Sequence, residues 1–444
     1  MKNIPYKARF FSFVGIAPIK GVTAQTQRDH FGRLLAGYLN TPPITFTDWT
    51  DALTHLSHHL KAGDIILFDE LSWMGKDDPT FVPKLKAWWD TIVLEKPHVL
   101  TIFCSSVSVW IEENILNSTA FFGRVNLTIT LEPLSIPEST KLLKLLGFKG
   151  GVYEIYKLLS IFGGIPWYLE QIDPKNMADE NIKALCYQKD ALLVLEFDRI
   201  FHDLFNGKGT IYKKILDALK SGMKTLSQIR ETIKFSHSGK LSTLLNHLIE
   251  CGFVQKHIQW SLKNETILRQ SLYRISDPYI RFYLKNIEPN RSKIDMKAFI
   301  DININQIPGF DTHIGLQVEN LLLQNRVLLL KSIGIHPNDL SFDGPYRQTK
   351  TTRQKGCQID YLFQTRTKTL FLCEFKFKRR ELNSEIIDEV QEKMANLSIP
   401  RGFALVPVLF HIGGITEAVT DKNFFYRIID INDFLDPEFL KSSC

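Results

Sequence analysis

Ile65-Ile66-Leu67-Phe68-Asp69-Glu70 is the stretch on which the fold turns: four apolar residues that read as a short buried strand, closed by two carboxylates. Working outward, Ala8 to Ile16 reads as an earlier buried strand rich in Phe. Gln25 to Tyr38 carries Phe31, Leu34, Leu35 and Tyr38 at helical spacing, and Trp49 to Leu60 is a second helix that ends at Gly63-Asp64. Phe81 to Leu94 predicts a helix and His98 to Ser105 a strand. A further helix then runs to Asn117, and Val125 to Leu131 predicts another strand. Strands that are nearly continuous apolar runs, alternating with helices, predict an α/β fold with a parallel sheet covered on both faces.

Bulk properties bound the rest. A length of 444 residues predicts two to four domains, each with its own core. The chain is 44% apolar and 23% charged, the balance of a soluble globular protein. The net charge of +6 permits contact with nucleic acid without demanding it. The six cysteines are scattered and form no C-x-x-C pair, which predicts free thiols in a reducing cytoplasm. No apolar run is long enough to span a bilayer.

Downstream, residues 135–206 read as mainly helical, broken at Gly163-Gly164-Ile165-Pro166. Residues 207–287 read as three helices (Ile211–Lys220, Leu226–Lys234, Lys240–Cys251) and a hairpin (Phe253–Gln259, Ser271–Ile275), the order of a winged helix-turn-helix. In that reading Lys240–Cys251 is the recognition helix, with Lys240, Thr243, Asn246 and His247 on polar positions that could face DNA. Winged helices also dock proteins, and that alternative stands beside the first. Glu288-Pro289-Asn290 reads as a linker to a last domain, 292–444.

Two carboxylates ending a strand form the pattern of a Walker B strand, where one acid serves Mg²⁺ and the next the attacking water. The plain alternative is that they cap the next helix. The following strand ends in Cys104-Ser105-Ser106, where a polar sensor of the γ-phosphate would sit; these serines too could simply cap a helix. The order of several pieces resembles the archaeal-type ATPases of the AAA+/STAND group. They are Ile65 to Glu70, Ser105 to Ser108, Gly123-Arg124, Gly163 to Leu169, Ser238 to Ser242, Gly252 to Val254 and Tyr273 to Tyr279. The resemblance covers nearly the whole chain and implies an ATP- and Mg²⁺-using core over residues 1–134 and a helical lid over 135–206.

It also implies site roles. Asp69 would hold Mg²⁺, Glu70 would polarise water and Ser105 would be the sensor. Arg124 would stabilise phosphate charge, or be an ordinary packing arginine. Gly164 and Pro166 would form the G-x-P element near the nucleotide, or a plain helix break. The family's phosphate loop, G-x-x-x-x-G-K-[ST], occurs nowhere in the sequence. Gly75-Lys76, Gly207-Lys208 and Gly239-Lys240 do not follow the required strand. The expectation is therefore a chain shortened at its N-terminus, impaired in ATP hydrolysis, whose sheet carries a gap or an exposed edge.

A second constellation lies near the C-terminus. Gly356 to Phe363 reads as one strand bearing Asp360, and Thr369 to Phe377 as the next, bearing Glu374-Phe375-Lys376. Alternation puts Glu374 and Lys376 on one face, with Phe375 and Phe377 on the other. With Glu319 on an upstream helix (Gly315–Leu322) and a downstream helix (Ser384–Asn396) bearing Gln391, the set resembles the PD-(D/E)xK nuclease fold. That resemblance implies a Mg²⁺ site at Asp360, Glu374 and Glu319, with Lys376 orienting the water. The alternative is a cross-strand ion pair on two edge strands. Arg347, Lys350, Arg353, Lys355 and the run Lys376-Phe377-Lys378-Arg379-Arg380 could neutralise phosphates. Three functions thus stay open: an ATPase-family protein, a Mg²⁺-dependent DNA endonuclease, and a non-enzymatic regulator that binds DNA or protein, alone or as a homo-oligomer.

Overall fold

The computed structural model describes residues 8–439, apart from 18, 20, 96–97, 107, 206–208, 237 and 353. Arg353 and the side chain of Ser238, both named above, lie outside the described residues. The chain gathers into two compact units, residues 1–130 with 201–206, and residues 131–200 with 207–444.

In the first unit, strands β1 (Phe10–Val14), β2 (Ile65–Asp69) and β3 (Leu100–Phe103) form a parallel sheet in the order β1-β2-β3. Helices Ala24–Leu39 and Trp49–His59 cross from β1 to β2, and Phe81–Trp88 lies on the path from β2 to β3. The crossovers bury Phe13, Phe31, Trp49, Phe68 and Phe81. Phe13 meets Phe31 at 4.3 Å, and Trp49 meets Phe81 at 4.8 Å between ring centroids. Asp48 starts the second helix by accepting the Thr50 N–H at 2.7 Å.

The strand expected at Val125 to Leu131 does not form. Its apolar side chains stand in the open, with Leu127 74%, Ile129 69% and Leu131 90% exposed. A strand needs a neighbour for its backbone groups, and among the described residues no strand flanks β3 on the side away from β2. Among the described residues β3 is thus one edge of this sheet, as β1 is the other.

The second unit begins with helices Ile136–Leu145, Val152–Phe162, Pro166–Glu170 and Ala178–Cys186. Helices Gly209–Leu219, Leu226–Thr232 and Ser238–Glu250 follow, with a small antiparallel sheet of β4 (Lys224–Thr225), β5 (Val254–Ser261) and β6 (Thr266–Ile275) in the order β4-β6-β5. Glu288–Asn290, expected as a linker, is a tight helical turn joining Tyr283–Ile287 to Arg291–Asp295. Its backbone is thus helical and not extended.

The last part is a mixed five-stranded sheet. Strands β7 (Leu340–Gln348), β8 (Cys357–Thr365), β9 (Thr369–Phe377), β10 (Ala404–Ile412) and β11 (Arg427–Asp430) run in the order β11-β10-β9-β8-β7. Pairs β7–β8 and β8–β9 are antiparallel, and β9–β10 and β10–β11 parallel. Helix Phe310–Gln324 precedes the sheet and packs beside β9; helix Glu385–Asn396 crosses from β9 to β10 and packs on β8. The hairpin β5–β6 leans on this sheet. Trp260 stacks on Phe342 at 5.6 Å, Gln259 donates to the Pro345 carbonyl at 3.1 Å, and Gln364 donates to Glu265 at 2.9 Å. That end of the hairpin is committed to packing.

Candidate functional site

The expected site residues of the first unit lie at the C-terminal ends of the strands, where open parallel sheets place their ligands. Asp69 ends β2, and its Oδ1 accepts the Glu70 N–H at 3.0 Å. Glu70 is left-handed, with φ 51°, a conformation that turns its side chain off the strand line toward β3. Ser106 donates to Glu70 Oε2 from its hydroxyl at 2.9 Å and from its N–H at 3.3 Å. Ser105, the expected sensor, instead donates to the Ser72 hydroxyl at 2.9 Å. Of the two serines that end β3, Ser106 is the one bonded to the Glu70 carboxylate. Burial and the neighbouring Asp69 push the Cys104 thiol up.

Arg124 makes close contacts within the unit. Its Nε and Nη2 grip Asp90 at 2.6 and 2.9 Å, and Nη1 reaches the Phe122 carbonyl at 3.1 Å. Gly164 has a packing explanation. A Cβ there would lie 1.9 Å from the Leu134 carbonyl oxygen, and the Leu134 N–H donates to the Gly164 carbonyl at 2.8 Å. Pro166 opens its helix at the first position, where a missing N–H costs nothing.

The richer site lies on β8 and β9. Pro345 of β7 has no N–H to give β8. The pairing slips there: Gly344 faces Leu362 and Tyr346 faces Ile359, so Asp360 and Tyr361 together oppose Pro345. Such a bulge re-aims side chains. On the other side the β8–β9 ladder ends at Tyr361–Cys373, and the Asp360 carboxylate takes the next donor, the Phe375 N–H at 3.1 Å. Asp360 and Glu374 are thereby brought to one spot.

Two lysines divide Glu374 between them. Lys376 Nζ is 3.1 Å from Oε1, and Lys393 Nζ is 2.5 Å from Oε2 and 3.9 Å from Asp360 Oδ1. Lys376 also meets Glu389 at 2.6 Å. Burial, together with the charges of Glu374 and Glu319, pushes the Asp360 carboxyl up to about 7. Burial raises Glu319 as well, against the pull of Arg274 and Arg281. Burial works against the ammonium of Lys393, yet the charges of Asp360 and Glu374 outweigh it and raise its pKa. Lys376 is raised in the same way, by Glu389 and Glu374 against burial.

Among the described residues no group of three or more His, Cys, Asp or Glu side chains stands ready to hold a metal ion. Glu319 shares the electrostatic neighbourhood of Glu374 without completing such a group. The pair Asp360–Glu374 does fit a cation, since it already holds an ammonium, and Mg²⁺ is commonly held by one or two carboxylates with water filling the rest. Beside the pair, Glu319 and Lys376 also line a cleft of about 730 Å³.

Sequence reading missed Lys393 and Glu389. It singled out Gln391, which faces solvent. Spacing carried the signal: Ile386, Val390 and Lys393 recur on one helical stripe, and the first two are buried. Of the expected DNA-facing residues, Lys240, Thr243 and Asn246 are exposed, whereas His247 Nδ1 is hydrogen-bonded to the Tyr212 hydroxyl at 2.7 Å.

No family model matches the chain. An uncharacterized protein of Methanocaldococcus jannaschii, MJECL04, is 28% identical over 294 residues, which span 63% of this chain and 62% of the relative. The chain thus matches less than two thirds of that relative's length. Among solved structures, the Walker-type ATPase PABY2304 of Pyrococcus abyssi is similar at TM-score 0.45 and 15% identity, over 62% of this chain and 84% of that one. The Aeropyrum pernix ORC1 protein in complex with DNA is similar at TM-score 0.33 and 11% identity, over 65% and 80%. The Thermotoga maritima RuvB Holliday junction branch migration motor is similar at TM-score 0.28 and 12% identity, over 56% and 82%. No helix among the described residues is long and apolar enough to cross a membrane.

Proposed function

We propose that this is an ATPase-family protein whose C-terminal part is a Mg²⁺-dependent, PD-(D/E)xK-type nuclease. The observation that carries the nuclease reading is the convergence of Asp360 and Glu374 from neighbouring strands, with Lys376 bonded to the same carboxylate. Asp360 and Glu374 would hold the ion, whose positive charge would favour attack on a phosphodiester. Lys376, held on Glu374 and Glu389, is a positioned donor for the attacking water or a phosphate oxygen. Glu319 adds negative charge from the helix side. Supercoiled plasmid incubated with Mg²⁺ or Mn²⁺ tests this. Nicking by the wild type, lost in Glu374→Gln and in Asp360→Asn, supports the reading; no nicking with either ion sinks it.

For the first unit, Asp69 and Glu70 take the Walker B roles, with Ser106 in contact with the second acid. A P-loop supplies backbone amides and a lysine to the β- and γ-phosphates. This sequence has no such loop, so this chain alone binds ATP weakly. Micromolar affinity for a fluorescent ATP analogue overturns that. The exposed face Lys240, Thr243 and Asn246 supports DNA docking by the three-helix segment as a winged helix.

A further inference from the structure

We infer that the cleft beside Asp360 and Glu374 takes single-stranded nucleic acid, one base lying against the Tyr153–Arg379 wall and the backbone along the basic rim. This deepens the nuclease reading and rests on it. The cleft, of about 730 Å³, is formed by helices Val152–Phe162 and Phe310–Gln324 and by the end of β9 with the residues after it. Its size is that of a pocket enclosing roughly one or two nucleotides. An intact duplex could lie only across its mouth.

The lining matches that occupant in three ways. Leu316, Val318, Leu322 and Phe410 give it an apolar floor. One wall is a flat stack: Tyr153 lies on Phe377 at 4.7 Å and 16°, and the Arg379 guanidinium covers the Tyr153 ring at 4.4 Å. Phe377 and Arg379 thus fix the Tyr153 ring in place, and exposed Arg379 offers its own plane to an incoming base. Stacking of this kind accepts any base and is the usual device for holding unpaired strands. Lys376, Lys378, Arg379 and Arg380 supply the positive rim, against the one exposed acid of the lining, Asp311. Lys376 and Glu319 belong to the cleft and to the carboxylate site at once. A strand in the cleft therefore leads straight to the hydrolytic groups.

The test is fluorescence anisotropy of the full chain in EDTA, where nothing is cut. The probes are labelled oligo-dT and a hairpin duplex of equal phosphate number. The expected result is at least tenfold tighter binding of oligo-dT. Tyr153→Ala should weaken it about tenfold and leave the duplex affinity unchanged; Arg379→Ala and the exposed Lys378→Glu, which also remove rim charge, should weaken oligo-dT about tenfold and the duplex less. Melting temperatures of the three variants within a few degrees of the wild type control for folding. Equal affinity for the two probes, or undiminished oligo-dT binding by the three variants, overturns the inference. If binding follows the cleft variants while Mg²⁺ and Mn²⁺ yield no cleavage, the nuclease reading fails and the single-strand site stands.

Discussion

Lys393 Nζ lies 2.5 Å from Glu374 Oε2, so a buried carboxylate of the site is already neutralised by the protein's own ammonium. A divalent ion bound at Asp360 and Glu374 must displace that ammonium. Replacing Lys393 with Met should therefore tighten Mn²⁺ binding, read by calorimetry, by about tenfold. The same change takes from Glu374 the nearer of its two ammonium partners, leaving Lys376 at 3.1 Å, and should cost about 1–3 kcal/mol without metal. Added Mn²⁺ should recover the lost melting temperature in the variant more than in the wild type, because ligands stabilise by mass action. Unchanged Mn²⁺ affinity would show that Lys393 and the ion do not compete.

Gly164 offers a test of packing against nucleotide sensing. The Leu134 carbonyl oxygen would stand 1.9 Å from an added Cβ, and it is backbone that cannot move without straining the Leu134–Gly164 hydrogen bond. Gly164→Ala should cost about 3 kcal/mol. Thermal melts with and without ATP should show the same loss. A loss confined to the ATP-containing sample would restore the nucleotide role.

The sequence was readable where one face of an element must be buried. The β2 and β3 strands, the helices around Phe31 and Trp49, and the strands bearing Asp360 and Glu374 follow from apolar period alone. Asp360 and Glu374 were picked out because each is a carboxylate set in an apolar strand, and the two strands are adjacent in sequence. What could not be read was long-range partnership. Residues 125–131 have strand-like composition but no neighbour. The meeting of Lys393 with Glu374 depends on how a crossing helix lies on β8. The Pro345 slip that aims Asp360 depends on register between strands. Arg124 and Ser105 were chosen by order in the chain, and their partners Asp90 and Ser72 come from elements that order does not rank.

His257 predicts a pH dependence. It is buried on β5 near Arg274 and Arg326, and its Nε2 has no hydrogen-bond partner among the described residues. Burial, then the two guanidinium charges, lower its pKa from 6.5 to about 3. The ring is neutral when folded, while the unfolded chain takes up a proton below pH 6.5. Unfolding thus binds protons between about pH 6.5 and 3, and stability falls as pH falls through that window. At pH 5.5 the term amounts to about 1.4 kcal/mol. Melting curves at pH 7.5 and 5.5 should separate further for the wild type than for His257→Leu. Equal separations would place a proton on His257 in the folded protein.

The last prediction concerns the outer side of β3. Leu100 and Ile102 are 53% and 39% exposed, and Phe122, Leu127 and Ile129 of the following segment are also open. Among the described residues no strand pairs with that side, so Thr101 and Phe103, which alternate with the residues bonded to β2, turn their backbone groups outward. Unpaired backbone beside exposed apolar side chains is a template for another strand. The chain should therefore bind an apolar dye while folded and self-associate as concentration rises. Ile102→Lys with Leu127→Glu should lower both signals severalfold with little loss of melting temperature, since neither side chain is in the core. Dye binding and light scattering that stay the same in the double variant would mean that the exposed surface responsible lies elsewhere, and the edge would lose its claim to be the sticky face of this unit.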